Sequence, residues 1–154
     1  RLGGLEKDGT TGSVSYDGLN HQEMVATRAE KVARVANIIP PMEVGGNVGS
    51  DTLVIGWGGT QGAILSAAEK LESEGLPVAT VHLRHMNPMP SNIGDVLGRY
   101  KNIIVPEVNS GQLSMLLRAA HLVDAKSINV IQGRGFHVAE LAAGIRSVVE
   151  EAGQ

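Results

Sequence analysis

The chain has 154 residues and a formal net charge of −3 with both signs mixed along it, which is the size of one domain with room for a core and argues against nucleic acid and anionic membranes as partners. It contains no cysteine, so disulfides, thiolate catalysis and cysteine-held zinc or iron–sulfur clusters are excluded within it. One Trp, two Tyr and one Phe leave the core to Val, Ile, Leu, Met and Ala, and no apolar run approaches the roughly 18 residues of a membrane span, so a cytoplasmic location is expected.

Residues 1–20 are rich in Gly, Ser, Thr and Asp without periodicity and read as a linker or loop. Residues 21–37 read as a helix with Asn20 as N-cap and an apolar stripe of Met24, Val25, Val32 and Val35. Pro40-Pro41 stops it. From Asp51 the pattern is regular: strand DTLVIGW, turn GGTQG, a helix from Ala63 to Glu74 closed by Gly75, and strand PVATVHL. A short helix over 92–100, strand KNIIVPE, a helix over 112–123, strand SINVIQG and a helix from Val138 to Ala152 complete the chain. Apolar strands alternating with helices predict βαβ units and a largely parallel sheet, so residues 21–154 read as one α/β domain.

Two features carry candidate chemistry. Gly56, Gly58, Gly59 and Gly62 lie between a strand and a helix, where exposed amides could hold a phosphate. The spacing departs from the dinucleotide fingerprint, and the acidic residue expected at the end of the second strand is absent. Arg84 in that region would suit a 2′-phosphate, so a stand-alone NADP-binding, Rossmann-like module is the alternative reading. The plainer one is that the glycines permit a tight crossover. The second feature is the set of polar residues at the strand ends, where α/β sheets gather ligands and partners: Trp57 after the first strand, Arg84, His85 and Asn87 after the second, and Glu107, Asn109 and Gln112 after the third. They read as a subunit or domain interface, with Arg84 and Glu107 as charge partners. An active site and an ordinary solvated face are the other readings. No catalytic, cofactor-binding or metal-binding residue is assigned: the histidines lack ligand spacing and no nucleophile motif is present.

The strings LEKD, RAEKV, IPPMEV, GWGGTQGAI, HLRHMNPMPSNIGDVL, VPEVNSGQLSMLLRA and LVDAKSINVIQG resemble the C-terminal domain of the alpha subunit of 2-oxoacid:ferredoxin oxidoreductases, and most of all the 2-oxoglutarate enzymes, from Gly3 to about Arg146. NPMPSN and PEVNSGQL are the most specific of these. The resemblance implies a transketolase C-terminal-like, three-layer α/β/α unit whose mixed five-stranded sheet has one antiparallel strand, with PMEV (Pro41 to Val44) as a source of the fifth. A start at Arg1 rather than Met fits a processed product, a tag-trimmed chain or a fragment, and the resemblance favours a fragment of a longer subunit, with residues 1–20 leading from an N-terminal domain. The parent enzyme would use thiamine diphosphate, Mg²⁺, iron–sulfur clusters and coenzyme A, none bound by this chain. Its partners would be the N-terminal domain of the same subunit, the beta subunit and, indirectly, ferredoxin. The isolated domain is expected to be inactive. Phe136-His137 departs from the family pattern at the start of the last helix, and His137 caps poorly.

Overall fold

In a computed structural model of the chain, residues 4–153 are described, so Gly3 at the edge of the resemblance and the first residues of the expected linker lie outside them. The chain forms two compact units, one of residues 4–40 with 85–90 and the other of residues 41–84 with 91–153.

In the first unit, helix α1 spans Gly18–Ala33 and continues as a 3-10 turn, Arg34–Ile38. The cap is Asp17, not Asn20: the Asp17 side chain accepts from the Asn20 backbone N–H at 2.8 Å. Asp17-Gly18 is the earlier cap signal, and it leaves the Asn20 side chain free to bind the preceding segment. Its Oδ1 accepts from Gly9 N and its Nδ2 donates to the Lys7 carbonyl. The expected apolar stripe is not a core stripe. No residue of α1 is buried, and Val25 and Val32 are each 46% exposed. Ahead of the helix, Lys7 and Val14 form an isolated antiparallel bridge around a turn organised by Asp8 Oδ1, which accepts from Thr10 N, Thr11 N and Thr11 Oγ1.

The second unit holds a five-stranded sheet of order β1-β3-β2-β4-β5. Its strands are β1 (Gly45–Gly46), β2 (Thr52–Trp57), β3 (Ala79–Leu83), β4 (Asn102–Glu107) and β5 (Ala125–Asn129). β1 runs antiparallel to β3 and every other pairing is parallel. This is the expected mixed sheet, with the fifth strand formed by the two glycines after PMEV. Gly46 takes φ +66, and a Cβ there would lie 2.7 Å from the Val78 carbonyl oxygen, so only glycine lets the backbone approach β3 so closely. β5 begins two residues earlier than SINVIQG suggested.

Helices cover both faces of the sheet. α2 (Gln61–Ser73) and α5 (Val138–Ala152) pack on one face, over a core of Val54, Ile104, Ile64, Ala67, Leu71, Leu141 and Ile145. α3 (Ile93–Leu97) and α4 (Gln112–His121) carry the opposite layer, burying Ile93, Val96, Leu97, Leu113 and Leu117. β2 and β4 read as continuous apolar runs because both their faces are covered, as central parallel strands require. None of the helices is long and apolar enough to cross a membrane, among the described residues.

Candidate functional site at the ends of strands β2 and β4

β2 feeds α2 and then β3 on one side of it, while β4 lies on its other side and feeds α4 and then β5. The connections therefore leave in opposite directions between the carboxyl ends of β2 and β4. This is the topological switch point, the crevice where open α/β sheets bind ligands. Trp57 ends β2 and Glu107 ends β4.

The crevice is closed by the protein itself. Trp57 Nε1–H donates to Glu107 Oε1 at 3.1 Å. The same oxygen accepts from Asn109 Nδ2 at 3.2 Å and from the Leu113 backbone N–H at 2.8 Å, and Oε2 accepts from Ser114 N at 3.1 Å. Glu107 is 0% exposed, and every partner named is a donor, the surroundings that suit an acceptor-only carboxylate. Asn109 Oδ1 takes the amides of Gly111 and Gln112 at 2.8 and 3.0 Å. The amides of the first turn of α4, which at many helix N-termini are open to an anion, are thus satisfied by two side chains that precede it, Glu107 at the end of β4 and Asn109 in the loop. Gly111 makes the geometry possible: its φ is +93, and a Cβ would sit 3.0 Å from Ser114 Oγ and 3.2 Å from Ser127 Oγ.

The expected residues therefore divide. Trp57, Glu107, Asn109 and the backbone of Gln112 come together at one point, with Gln112's side chain exposed. Arg84, exposed just after β3, does not pair with Glu107, whose oxygens are taken as described. A carboxylate six residues before a helix amide gives no local sequence signal of capping, which is why it reads as a partner for a cation. His85 and Asn87 are exposed and belong to the first unit. Thr60 was expected among the polar residues at the end of the first strand, whereas Gly111 and Ser114 were not anticipated. Asn109-Ser110-Gly111 was their available signal, as a turn with a left-handed glycine.

The glycine turn is a tight crossover at its first residue. A Cβ on Gly56 would lie 2.2 Å from Ile64 Cδ1 and 2.7 Å from Thr60 Oγ1. Thr60 Oγ1 accepts from Trp57 N and donates to Trp57 O at 2.8 Å, so it locks the end of β2 rather than capping α2. Gly58, Gly59 and Gly62 face open space.

No family model matches the chain. It is 39% identical over 97% of its length to "2-oxoglutarate oxidoreductase subunit KorA" of Mycobacterium tuberculosis, of which it covers 23%. It is 30% identical over 86% of its length to "2-oxoacid:ferredoxin oxidoreductase subunit alpha" of Saccharolobus solfataricus, of which it covers 22%. The chain is a homologue of the alpha subunits of 2-oxoacid:ferredoxin oxidoreductases. A solved 2-oxoglutarate:ferredoxin oxidoreductase from Magnetococcus marinus, with 2-oxoglutarate, coenzyme A and succinyl-CoA bound, superposes with a TM-score of 0.84 at 32% identity, over 94% of this chain and 26% of that one. The chain spans about a quarter of the length of the relatives it matches.

In this alpha-subunit homologue, no group of three or more His, Asp or Glu could hold a metal ion, among the described residues. His82 lies partly buried on β3, its buried Nδ1 without a hydrogen-bond partner. Burial first, and then repulsion from Arg84, holds its pKa below the usual histidine value, so it is neutral at pH 7. In the first unit, a cleft of about 600 Å³ is lined by Glu6, Tyr16, His21 and Arg28 among others. Arg28 grips Glu6 with two bonds of 3.0 Å, and His21 Nδ1 lies 3.0 Å from the same carboxylate. The Arg28 guanidinium foremost, then the Lys7 amide and His21, lower the Glu6 pKa to about 2.

Proposed function

We propose that this chain is the C-terminal, transketolase-like scaffold and interface domain of the alpha subunit of a thiamine-diphosphate-dependent 2-oxoacid:ferredoxin oxidoreductase, with 2-oxoglutarate as the substrate of the whole enzyme. The observation that carries the reading is similarity along nearly the whole chain to alpha subunits together with a TM-score of 0.84 against a 2-oxoglutarate enzyme. The assembled enzyme would decarboxylate the 2-oxoacid to an acyl-CoA and pass electrons to ferredoxin.

The residues present do not fit the iron–sulfur clusters or the Mg²⁺ of that chemistry. There is no cysteine for a cluster and no metal-ligand group among the described residues. The one fully buried carboxylate among them, Glu107, is committed to four N–H donors. No catalytic step is assigned to this chain. Its contribution is shape: a sheet whose switch-point crevice is sealed by Trp57 and Glu107, with Arg84 and Gln112 exposed in that unit and His85 and Asn87 exposed in the first unit as groups for the N-terminal domain and the beta subunit. Residues 1–20 are read as the lead-in from that N-terminal domain, and the enzyme as cytoplasmic.

The test is assembly and titration. The chain co-expressed with the enzyme's beta subunit and the rest of its alpha subunit is expected to co-elute as one complex, and calorimetry of the chain alone to show no heat with NADPH, thiamine diphosphate plus Mg²⁺, or coenzyme A. Stoichiometric NADPH binding without assembly would replace this reading with the nucleotide module, seated on the open Gly58–Gly62 turn.

A further inference from the structure

We propose that Glu107 and Trp57 form a latched site for a guanidinium group, which enters the crevice between β2 and β4 by displacing the indole N–H from the carboxylate. The inference does not depend on the oxidoreductase reading.

The first observation is a buried charge without a counter-ion. Glu107 is 0% exposed. Its hydrogen bonds all come from neutral N–H groups: the Leu113 and Ser114 backbone amides, the Asn109 side chain and the Trp57 indole. None of the ion pairs among the described residues includes it. Buried charges are ordinarily paired with an opposite charge or a metal, and the α4 N-terminus supplies only partial charge. A metal does not suit the place, since no group of three or more His, Asp or Glu could hold one among the described residues.

The second observation is how lightly the latch is held. A carboxylate oxygen offers about two lone pairs. Oε1 nonetheless accepts three donors, from Leu113 at 2.8 Å, Trp57 at 3.1 Å and Asn109 at 3.2 Å, while Oε2 accepts one. Leu113 is buried, whereas Trp57 is partly exposed, so the indole N–H exchanges the carboxylate for water at small cost. Thr60 Oγ1 holds the Trp57 backbone through its N–H and its carbonyl. Gly58 and Gly59, which follow it, put no side chain against the ring. The indole is therefore free to turn while the strand end stays in place.

Chemistry selects the ligand. A guanidinium N–H that replaces the indole N–H keeps the number of hydrogen bonds and adds a full positive charge beside an unpaired negative one. The turned indole offers its face to the same cation. Guanidinium is planar, weakly hydrated and suited to stacking on an aromatic ring, whereas an ammonium is compact and holds its water.

Titration of the 154-residue chain with N-acetyl-arginine amide at constant ionic strength tests the proposal. Emission and the indole N–H resonance of Trp57, the single tryptophan, report the site. Saturation with a dissociation constant of roughly 1–10 mM is expected, with the matching lysine amide about fivefold weaker and the citrulline amide, a neutral isostere, about tenfold weaker or more. Glu107→Gln should weaken binding about tenfold; because it also loosens the fold, the wild-type indole resonance fixes the location independently. Tighter binding of the blocked arginine than of free arginine assigns the site to a partner's side chain, and the reverse order to a small molecule; both support the site. No saturation, equal binding of the lysine or citrulline amide, or saturation that leaves the indole resonance unmoved overturns the proposal.

Discussion

Replacing Glu107 tests whether the crevice between β2 and β4 is held shut by one carboxylate. In Glu107→Ala, the indole N–H of Trp57 and the Asn109 amide are half-buried and can turn to water. The amides of Leu113 and Ser114 belong to buried residues and cannot. Each buried donor left unpaired costs about 1–3 kcal/mol, and the lost favourable charge at the α4 N-terminus adds up to about 1 kcal/mol. The sum is about 2–7 kcal/mol, and it brackets the roughly 3–5 kcal/mol typical of breaking a buried charged network. For a chain of this length the latter range is a fall in melting temperature of roughly 6–20 °C. Glu107→Gln keeps the volume and one acceptor but turns an N–H₂ group toward a donor, and should cost about half as much. Urea denaturation followed by far-ultraviolet circular dichroism gives the free energies. Emission from Trp57, the single tryptophan, reports the broken hydrogen bond from inside the site. If Glu107→Ala lies within about 0.5 kcal/mol of wild type, an ordinary surface effect, the reasoning fails.

Further outcomes are expected elsewhere. Gly56→Ala forces a methyl into the space of Ile64 and Thr60 and should destabilise by about 1–3 kcal/mol with no ligand present; a neutral result in thermal melts would mean that the crossover has slack. His137 caps α5 without a side-chain bond, so His137→Ser should stabilise by about 1 kcal/mol, read as a rise of roughly 2–4 °C. The Glu6 pKa is about 2 against an ordinary 4.5, so the unfolded chain takes up the proton first. The stabilisation it gives residues 4–33 is complete above 4.5 and is lost as the pH falls from there toward 2. Hydrogen exchange across that window should show protection falling in wild type but less so in Glu6→Gln. Arg84→Ala, at an exposed position, should leave the melting temperature unchanged and weaken assembly with the other subunits; a lower melting temperature would make Arg84 a structural residue.

The regular part of the fold was legible because burial on both faces writes itself as apolar runs: TLVIGW and NIIVPE could be little else than central parallel strands. β1 was half legible. PMEV pointed to the right place, but the strand formed on two glycines that carry no pattern, since what they supply is absence of side chain. α1 was legible as a helix with an apolar stripe, but its exposure was not, because spacing of valines reports which residues share a face and not whether anything covers it. At the site, Trp57, Glu107 and Asn109 were legible as strand-end residues from topology alone. Their mutual bonding was not, because it joins positions fifty residues apart in sequence. The pairing of Arg84 with Glu107 followed from charge type without any means of knowing that backbone amides would claim the carboxylate first.

The sheet order also sets a timetable for synthesis. β2 is the first long strand made, yet it sits in the middle, and its two neighbours arrive later from opposite sides. Until β4 has emerged, one edge of an almost wholly apolar strand stays unpaired, and Trp57 has nothing to bind. Pairings so far apart in sequence form slowly, and waiting edges invite association with other chains. The growing chain is therefore most exposed to aggregation between completion of the β2–α2–β3 segment and delivery of Glu107, and a chaperone or a slow codon run acting there would matter more than one placed anywhere later.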